Sequence, residues 1–581
     1  MDLKKIKGKF KQNINKIHYV YQESAPWLKF YDDLKYPKTI AFPECTIYEL
    51  LEKAAIEYPG NCAYEYFGTK VSFAEFIKKI KECARSLQYI GVTRNDTVTI
   101  LMPNTPEAII TFYACNMIGA VANMVHPLSS EGEIEFCINK ASSNYILTLD
   151  ALYDKLYAIK DRVNLKKIIS VSVSESMPTF TSILFWIAKG RKIKIESPKT
   201  DNVIKWSSFI HKGERVAEII KSGKKDTELA VILYSGGTTG MPKAIMHSSR
   251  NFNVTALQNK AVCSTIQPGN SVLSIMPIFH GFGLAVCFHT ILVGGMKAII
   301  IPKFEKEDFG KLIKTHRPTL LLGVPTLFEA LIQAELSKDG LSSVESLISG
   351  GDTFTPELQK RLNQYLKEHG CKHEIRSGWG MTECVAAATI TPVGNFIPGS
   401  IGIPSPDNYV KIVKPGTEEN VYYDEDGEIC MHGPTIMMGY LGEPEETANT
   451  LRKHADGKIW LHTGDMGCMN KDGMIFFKSR IKRMIITSGY NVYPNHIESV
   501  INSHPQVMTS IVVGAPHPYK GEVAKAYIVL SPECQNSGEI DIEIQELCKK
   551  NLSKYMIPVS FEYRETLPVT KVGKADYRNV K

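Results

Sequence analysis

The 581-residue sequence has no C-x-x-C pair among its 13 cysteines. Single, scattered cysteines give neither a metal-ligand spacing nor a disulfide framework, so reduced thiols in a cytoplasmic protein are expected. No apolar run approaches the roughly 18 to 20 residues needed to cross a bilayer. The N-terminal stretch also lacks the apolar core of a signal peptide. Internal repeats and low-complexity tracts are missing as well. Charge of one sign is scarce: 68 Lys and Arg face 61 Asp and Glu, a net charge of +7. No basic stripe is interleaved with aromatics, which excludes a nucleic-acid surface and leaves an anionic small ligand or a membrane surface as targets.

What is present is a globular composition, 44% hydrophobic and 22% charged, in a chain long enough for two or more domains with large cores. Helical and strand-like segments alternate from about residue 61 to residue 150, as in FAEFIKKIKECARSLQYIG, TVTILMPN and TPEAIITFYACNMIGA. In the last, Thr105 is placed to cap a helix, Pro106 to open it and Gly119 to end it. The alternation resumes at Leu229 and runs to about Gly380, through SVLSIMPIF, MKAIIIPKF and TLLLGVPTLFEALIQ. It predicts an α/β fold with helix-covered parallel sheets. A polar, basic insertion spans 174–227. Beyond Ile390, short strands separated by Gly, Asp and Pro predict a small β-rich subdomain. Beyond Arg483 follows a compact α+β unit, with Asn495 and Glu498 expected as helix caps and MTSIVVGAP and VAKAYIVL as a hairpin-like pair. The expected division is 1–30 as a basic amphipathic segment, 31–481 as a large body and 482–581 as a small mobile domain.

The stretch SGGTTGMPK, Ser235 to Lys243, follows the apolar run LAVILY. Glycines let backbone N–H groups approach a ligand closely, hydroxyls add donors and a lysine adds a point charge, a chemistry suited to a polyphosphate. Its spacing, G-x-x-x-G-x-x-K, lacks the G-K-[ST] ending of a Walker loop.

Further motifs accompany it in order: MPIFHGFG (276–283), SGGDTF (349–354), GWGMTE (378–383), LHTGDMG (461–467), SRIKRMIITSGYNVYP (479–494) and LPVTKVGKADYR (567–578). With these the chain, from about Ile47 to its end, resembles the superfamily of adenylate-forming enzymes, which includes acyl-CoA synthetases, 4-coumarate CoA ligase, firefly luciferase and nonribosomal peptide adenylation domains. Acyl-CoA synthetases are the nearest resemblance. It implies conversion of a carboxylic acid and MgATP into an acyl adenylate and pyrophosphate, then transfer of the acyl group to a thiol.

Each motif carries a task under that resemblance. Ser235, Gly236, Gly237, Thr238, Thr239, Gly240 and Lys243 are implied to hold the phosphates that leave as pyrophosphate. Trp379 stands at the family's usual tyrosine position, stacking on adenine, within the Trp379–Gly380–Met381 turn. Thr382 is implied to contact the α-phosphate, and Glu383 to ligate Mg²⁺. Gly350, Gly351 and Asp352 are implied to line the other adenine face. Asp465 is implied to accept both ribose hydroxyls, since an ionised carboxylate offers paired acceptors to a vicinal diol, with Arg480 assisting. Lys482 sits at the family's domain hinge, where Ser479 replaces a glycine. Lys574 aligns with the lysine that bridges the substrate carboxylate and the α-phosphate, offsetting the repulsion between two anions.

The acid is expected beside His280, followed by small and apolar residues that suit an uncharged tunnel and hence an aliphatic or aryl acid, such as a medium- or long-chain fatty acid. Three readings stand: an acyl-CoA synthetase using coenzyme A, a ligase loading a carrier protein's phosphopantetheine, and a non-catalytic nucleotide-binding or membrane scaffold. Two basic apolar segments, Met1 to Ile17 and Ser182 to Ile195, fit either peripheral contact with the inner membrane surface or docking on the protein itself.

Overall fold

The computed structural model describes residues 25–178, 182, 202–221, 223–235, 241–395, 397–488, 490–531, 537–570 and 575–580. Both candidate membrane segments lie outside these residues, Ser182 apart. Among the described residues no helix is long and apolar enough to cross a membrane.

The helix starts follow local chemistry. Helix Pro106–Ile118 begins where the Thr105 hydroxyl accepts from Ala108 N–H, and it ends at Gly119 in the left-handed region. That helix is buried on every side, which its mostly apolar sequence allows. Helix Phe73–Tyr89 is amphipathic instead and buries Phe73, Phe76, Ile77 and Ile80 along one face.

Two large sheets form the main body. The first has eight strands, in the order 439–440, 243–248, 229–235, 121–124, 97–101, 145–149, 167–171 and 203–205. Its centre is parallel, while the strands 229–235 and 243–248 are antiparallel. Residues 203–213, assigned from sequence to the basic insertion, are part of this sheet's framework. Strand Val203–Lys205 extends the sheet beside Lys167–Val171, and helix Trp206–Gly213 buries Phe209 completely.

The second sheet joins the parallel strands 62–66, 297–300, 271–274, 320–323, 346–349 and 375–379 to an antiparallel run that ends at 409–413. The β-rich region expected after Ile390 is therefore continuous with the parallel sheet. Strand Thr389–Ile390 links Ile375–Trp379 to Ser400–Pro404 through antiparallel pairing on both sides. A core shared by the two large sheets runs from Ile47 to Val385.

A third sheet forms the C-terminal body. The expected hairpin is present, Val507–His517 against Gly521–Leu530, with Ser560–Tyr563 added in parallel. Helices Pro494–Asn502 and Ser537–Asn551 contribute to its separate core, which includes Ile497, Ile501, Ile544 and Cys548. The last strand of the second sheet ends at Arg480 and the first of the third begins at Ile485; exposed Lys482 lies in the single turn between them.

Asn495 and Glu498 do not cap their helix as expected. The helix starts after Tyr493 without a side-chain cap. Arg483 claims both side chains instead, donating to Asn495 Oδ1 at 2.7 Å and to Glu498 Oε1 at 2.5 Å. A guanidinium is the stronger donor for a carboxylate than a lone amide N–H.

Candidate active site

A cavity of about 1330 Å³ opens where the two large sheets and the C-terminal body meet. It collects most of the described residues singled out from sequence: Ser235, Lys243, His280, Gly350, Gly351, Asp352, Trp379, Gly380, Met381, Thr382, Glu383, Asp465, Arg480 and Lys482. Gly236, Gly237, Thr238, Thr239, Gly240 and Lys574 lie outside the described residues. Thr570 and Ala575, which bracket the Lys574 segment, line the cavity.

Ser235 and Lys243 are direct cross-strand partners that bound the glycine-rich stretch. The chain thus returns as an antiparallel strand, in contrast to the helix that follows a Walker loop. The Lys243 ammonium lies 4.7 Å from the centre of the Tyr440 ring and pairs with Glu446.

The strand Ile375–Trp379 delivers the next group. At Gly380 a side chain would lie 2.0 Å from the Ala386 carbonyl, so only glycine fits. Val385 and Ala386, at φ 55° and 72°, hold backbone strain directly after the turn Thr382–Cys384, as is common beside functional sites. Buried His247 donates from Nε2 to the Thr382 carbonyl at 2.8 Å, and burial lowers its pKa to about 4, so the ring is neutral. Glu383 is 7% exposed, and Tyr440 O–H donates to its Oε1 at 3.0 Å. Burial pushes its carboxyl pKa upward. Such a carboxylate fits a divalent cation, whose charge offsets the desolvation that burial imposes.

Asp465 is 1% exposed. It pairs with Arg480 across adjacent strands, Nε to Oδ1 at 2.8 Å, and accepts from Trp379 Nε1 on Oδ2 at 2.9 Å. Its turn is clasped by Glu428, which sequence reasoning missed. Glu428 Oε1 accepts from Gly464 N–H at 3.1 Å and Oε2 from His462 Nδ1 at 2.9 Å. His462 Nε2 then accepts from His454 Nε2 at 2.9 Å, which fixes the tautomer of both rings. Cys430 is close enough to Glu428 and His462 for the three to hold a metal. Hydrogen bonds already occupy Glu428 and His462, however, and burial keeps the Cys430 thiol protonated.

At the far side, His280 Nδ1 accepts from Phe282 N–H at 3.2 Å. The loop carrying it is clamped by Asn104, buried at 3% exposure. Asn104 Nδ2 contacts the carbonyls of Ser274, Ile275 and Met276 at 3.1 to 3.3 Å, and Oδ1 accepts from Ile278 N–H at 2.8 Å. Asn104 follows a strand of the first sheet and the loop follows a strand of the second, so one side chain fastens the two sheets at the cavity. Beyond His280 the chain winds as a π-helix, Phe282–Thr290. This wide helix sets residues four and five apart on one face, and Phe282, Val286 and Ile291 join Val262, Ile266, Leu320 and Leu322 as the apolar part of the cavity lining. No periodicity in the sequence signals that winding.

The C-terminal body reaches the same cavity through Asn495, Tyr555, Tyr577 and Arg578. Asn495 Nδ2 donates to Thr353 Oγ1 of the large body at 3.0 Å.

Residues 51–441 match the family model described as AMP-binding enzyme, and residues 496–574 match the AMP-binding enzyme C-terminal domain. A long-chain-fatty-acid–CoA ligase of Bacillus subtilis is 33% identical over 95% of this chain and 97% of its own. The corresponding ligase of Salmonella typhimurium is 29% identical over 91% and 93%. Among solved structures, an ATP-bound RpMatB–BxBclM chimera superposes with a TM-score of 0.79 at 25% identity, covering 92% of this chain and 97% of that one. The ordered motifs, their convergence on one cavity and these matches together establish that the chain belongs to the AMP-binding enzyme family.

Proposed function

We propose that the protein is an acyl-CoA synthetase that activates a long-chain fatty acid with MgATP and passes the acyl group from AMP to coenzyme A. The observation that carries this reading is the mixed lining of one cavity, which brings together the polar Ser235, Lys243, Thr382, Glu383 and Asp465 and the apolar Val262, Phe282, Val286 and Leu322. The ligase names of the curated relatives support the same acid and acceptor.

In this mechanism the nucleotide's phosphates replace Glu446 as the partner of Lys243, and Thr382 faces the α-phosphate. Trp379 packs on the adenine opposite Gly350, Gly351 and Asp352, and Asp465 takes the ribose diol with Arg480 beside it. Mg²⁺ at Glu383 would neutralise charge on the phosphates. The acid's carboxylate enters past His280 with its chain along the apolar lining. Lys574 bridges carboxylate and α-phosphate while the carboxyl oxygen forms a bond to phosphorus and the bond to pyrophosphate breaks. Rotation about Lys482 then exchanges the Lys574 face of the small body for one that admits the thiol, which attacks the acyl carbon and releases AMP.

Acyl-CoA is the expected product rather than an acylated carrier protein. All 12 described cysteines are unpaired, in keeping with a cytoplasmic enzyme. Incubation with MgATP, CoA and acids from acetate to palmitate tests the reading. AMP, pyrophosphate and a free long-chain acyl-CoA, identified by mass spectrometry, are expected. Release of ADP in place of AMP would end it.

A further inference from the structure

We infer that Trp379, through its indole N–H, orients Asp465 and thereby sets the enzyme's preference for a ribose over a deoxyribose nucleotide. The inference rests on the assignment of Asp465 to the ribose made above. Two groups flank this carboxylate, one at each oxygen: Trp379 Nε1 donates a hydrogen bond to Oδ2 at 2.9 Å, and Arg480 Nε forms an ion pair with Oδ1 at 2.8 Å. They differ in rigidity. The Arg480 side chain is 47% exposed and reaches Asp465 on a long flexible stem, whereas Trp379 is 8% exposed and packed among Cys384, Ala388 and Ile403. The indole is therefore the donor whose position packing fixes, and it holds the plane of the carboxylate. A large aromatic side chain loses little freedom in doing so, because only two torsions need to be set.

The chemistry of the ligand makes that plane matter. A vicinal diol presents two O–H donors at a fixed separation, and a carboxylate accepts both only when its plane is aligned with them. A 2′-deoxy sugar presents one hydroxyl and tolerates rotation. Loss of the indole N–H should thus penalise ATP more than 2′-deoxyATP, whereas weaker stacking of the ring on the base would penalise both alike. Trp379 acts here as a positioning residue for the sugar, beyond any contact of its ring with the base.

The test compares kcat/KM for ATP and 2′-deoxyATP, by pyrophosphate release, in the full-length protein and its Trp379→Phe variant, which keeps a ring and removes the N–H. The preference for ATP is expected to fall about tenfold, the size of one charge-assisted hydrogen bond's worth of alignment, and the fall should lie in KM for ATP. Melting temperatures report whether the variant folds; Trp379→Leu, which also lacks the N–H and whose lost stacking affects both nucleotides alike, serves where Phe is not tolerated. Equal losses on the two nucleotides, or an unchanged preference, would overturn the inference. Asp465→Ala separates the two layers. If that variant retains the preference for ATP over 2′-deoxyATP, the ribose assignment itself is wrong, whatever Trp379 does.

Discussion

The corner of the cavity around Asp465 and the junction with the C-terminal body are built on opposite plans. At the first, Asp465, Glu428, His462, His454 and Trp379 are all buried; Trp379 bonds to Asp465, while His454, His462 and Glu428 form a chain that holds the neighbouring Gly464 amide. At the second, Asp352, Thr353 and Lys482 are exposed, and Asn495 bonds to Thr353 beside the packing of helix Pro494–Asn502 on helix Pro356–Glu368. A recognition corner gains from rigidity, since the groups it aligns need no reorganisation when the ligand arrives. Under the proposed mechanism the junction opens and closes within one catalytic cycle, and such a junction gains from light, exposed contacts, which cost little to break.

The most severe way to break this contrast is Lys574→Ala. Acyl-adenylate formation should fall by roughly 10² to 10³, while transfer to CoA from supplied acyl adenylate stays near its original rate. Stopped-flow assays of each half-reaction decide; a parallel loss in both would mean that the small body does not divide its labour.

Glu428→Ala probes the rigid side. It removes the clasp on Gly464 and His462, so KM for ATP should rise about tenfold with KM for the acid little changed. Glu428→Gln should recover most of the loss. Its amide can accept from Gly464 and donate to His462 once both histidines exchange tautomers. A glutamine no better than alanine would show that charge, not geometry, is what Glu428 supplies.

Thr353→Val, which removes the acceptor of the Asn495 bond and leaves the Arg483–Asn495 bond in place, sharpens the mobile side. One neutral hydrogen bond is worth about 1 kcal/mol, which corresponds to roughly fivefold slower adenylation without a change in melting temperature. An accompanying drop in melting temperature would recast the contact as part of the fold.

The smallest effect at neutral pH concerns His247 and His289, both buried in the large body with pKa values lowered by burial to about 4 and about 3. His289 accepts from Tyr113 O–H and donates to Asn253 Oδ1, each at 3.0 Å, a pattern that requires the neutral ring. The unfolded chain, with histidines near the ordinary value of about 6.5, takes up protons first as the pH falls. Stability from these groups is therefore complete above about pH 6.5 and declines as the pH falls, to about pH 4 for His247 and about pH 3 for His289. A melting temperature constant from pH 7 to pH 5 would contradict this.

Much of the architecture was legible because it is local. Thr105, Pro106 and Gly119 bracket a helix through their own backbone preferences, and the hairpin 507–530 follows from two β-rich runs separated by a short turn. The cavity residues were legible through their order in the resemblance, not through any pattern of spacing. The caps assigned to Asn495 and Glu498 failed because Arg483, 12 and 15 residues away, offered a better partner. The β-rich region after Ile390 was legible from its short strands and has its own core, but its continuity with the parallel sheet was not, because strand texture does not reveal which edge a new strand will join.

By itself, the sequence determined the helix ends, the strand-forming runs and the stock of donors that a nucleotide requires. Tertiary structure decided which of these groups meet: Trp379 with Asp465 across 86 residues, Glu428 with His462 across 34, and Asn104 with the Ile278 amide across 174. Backbone preference acts over a few residues, whereas such pairings depend on sheet register and on the packing of one sheet against another.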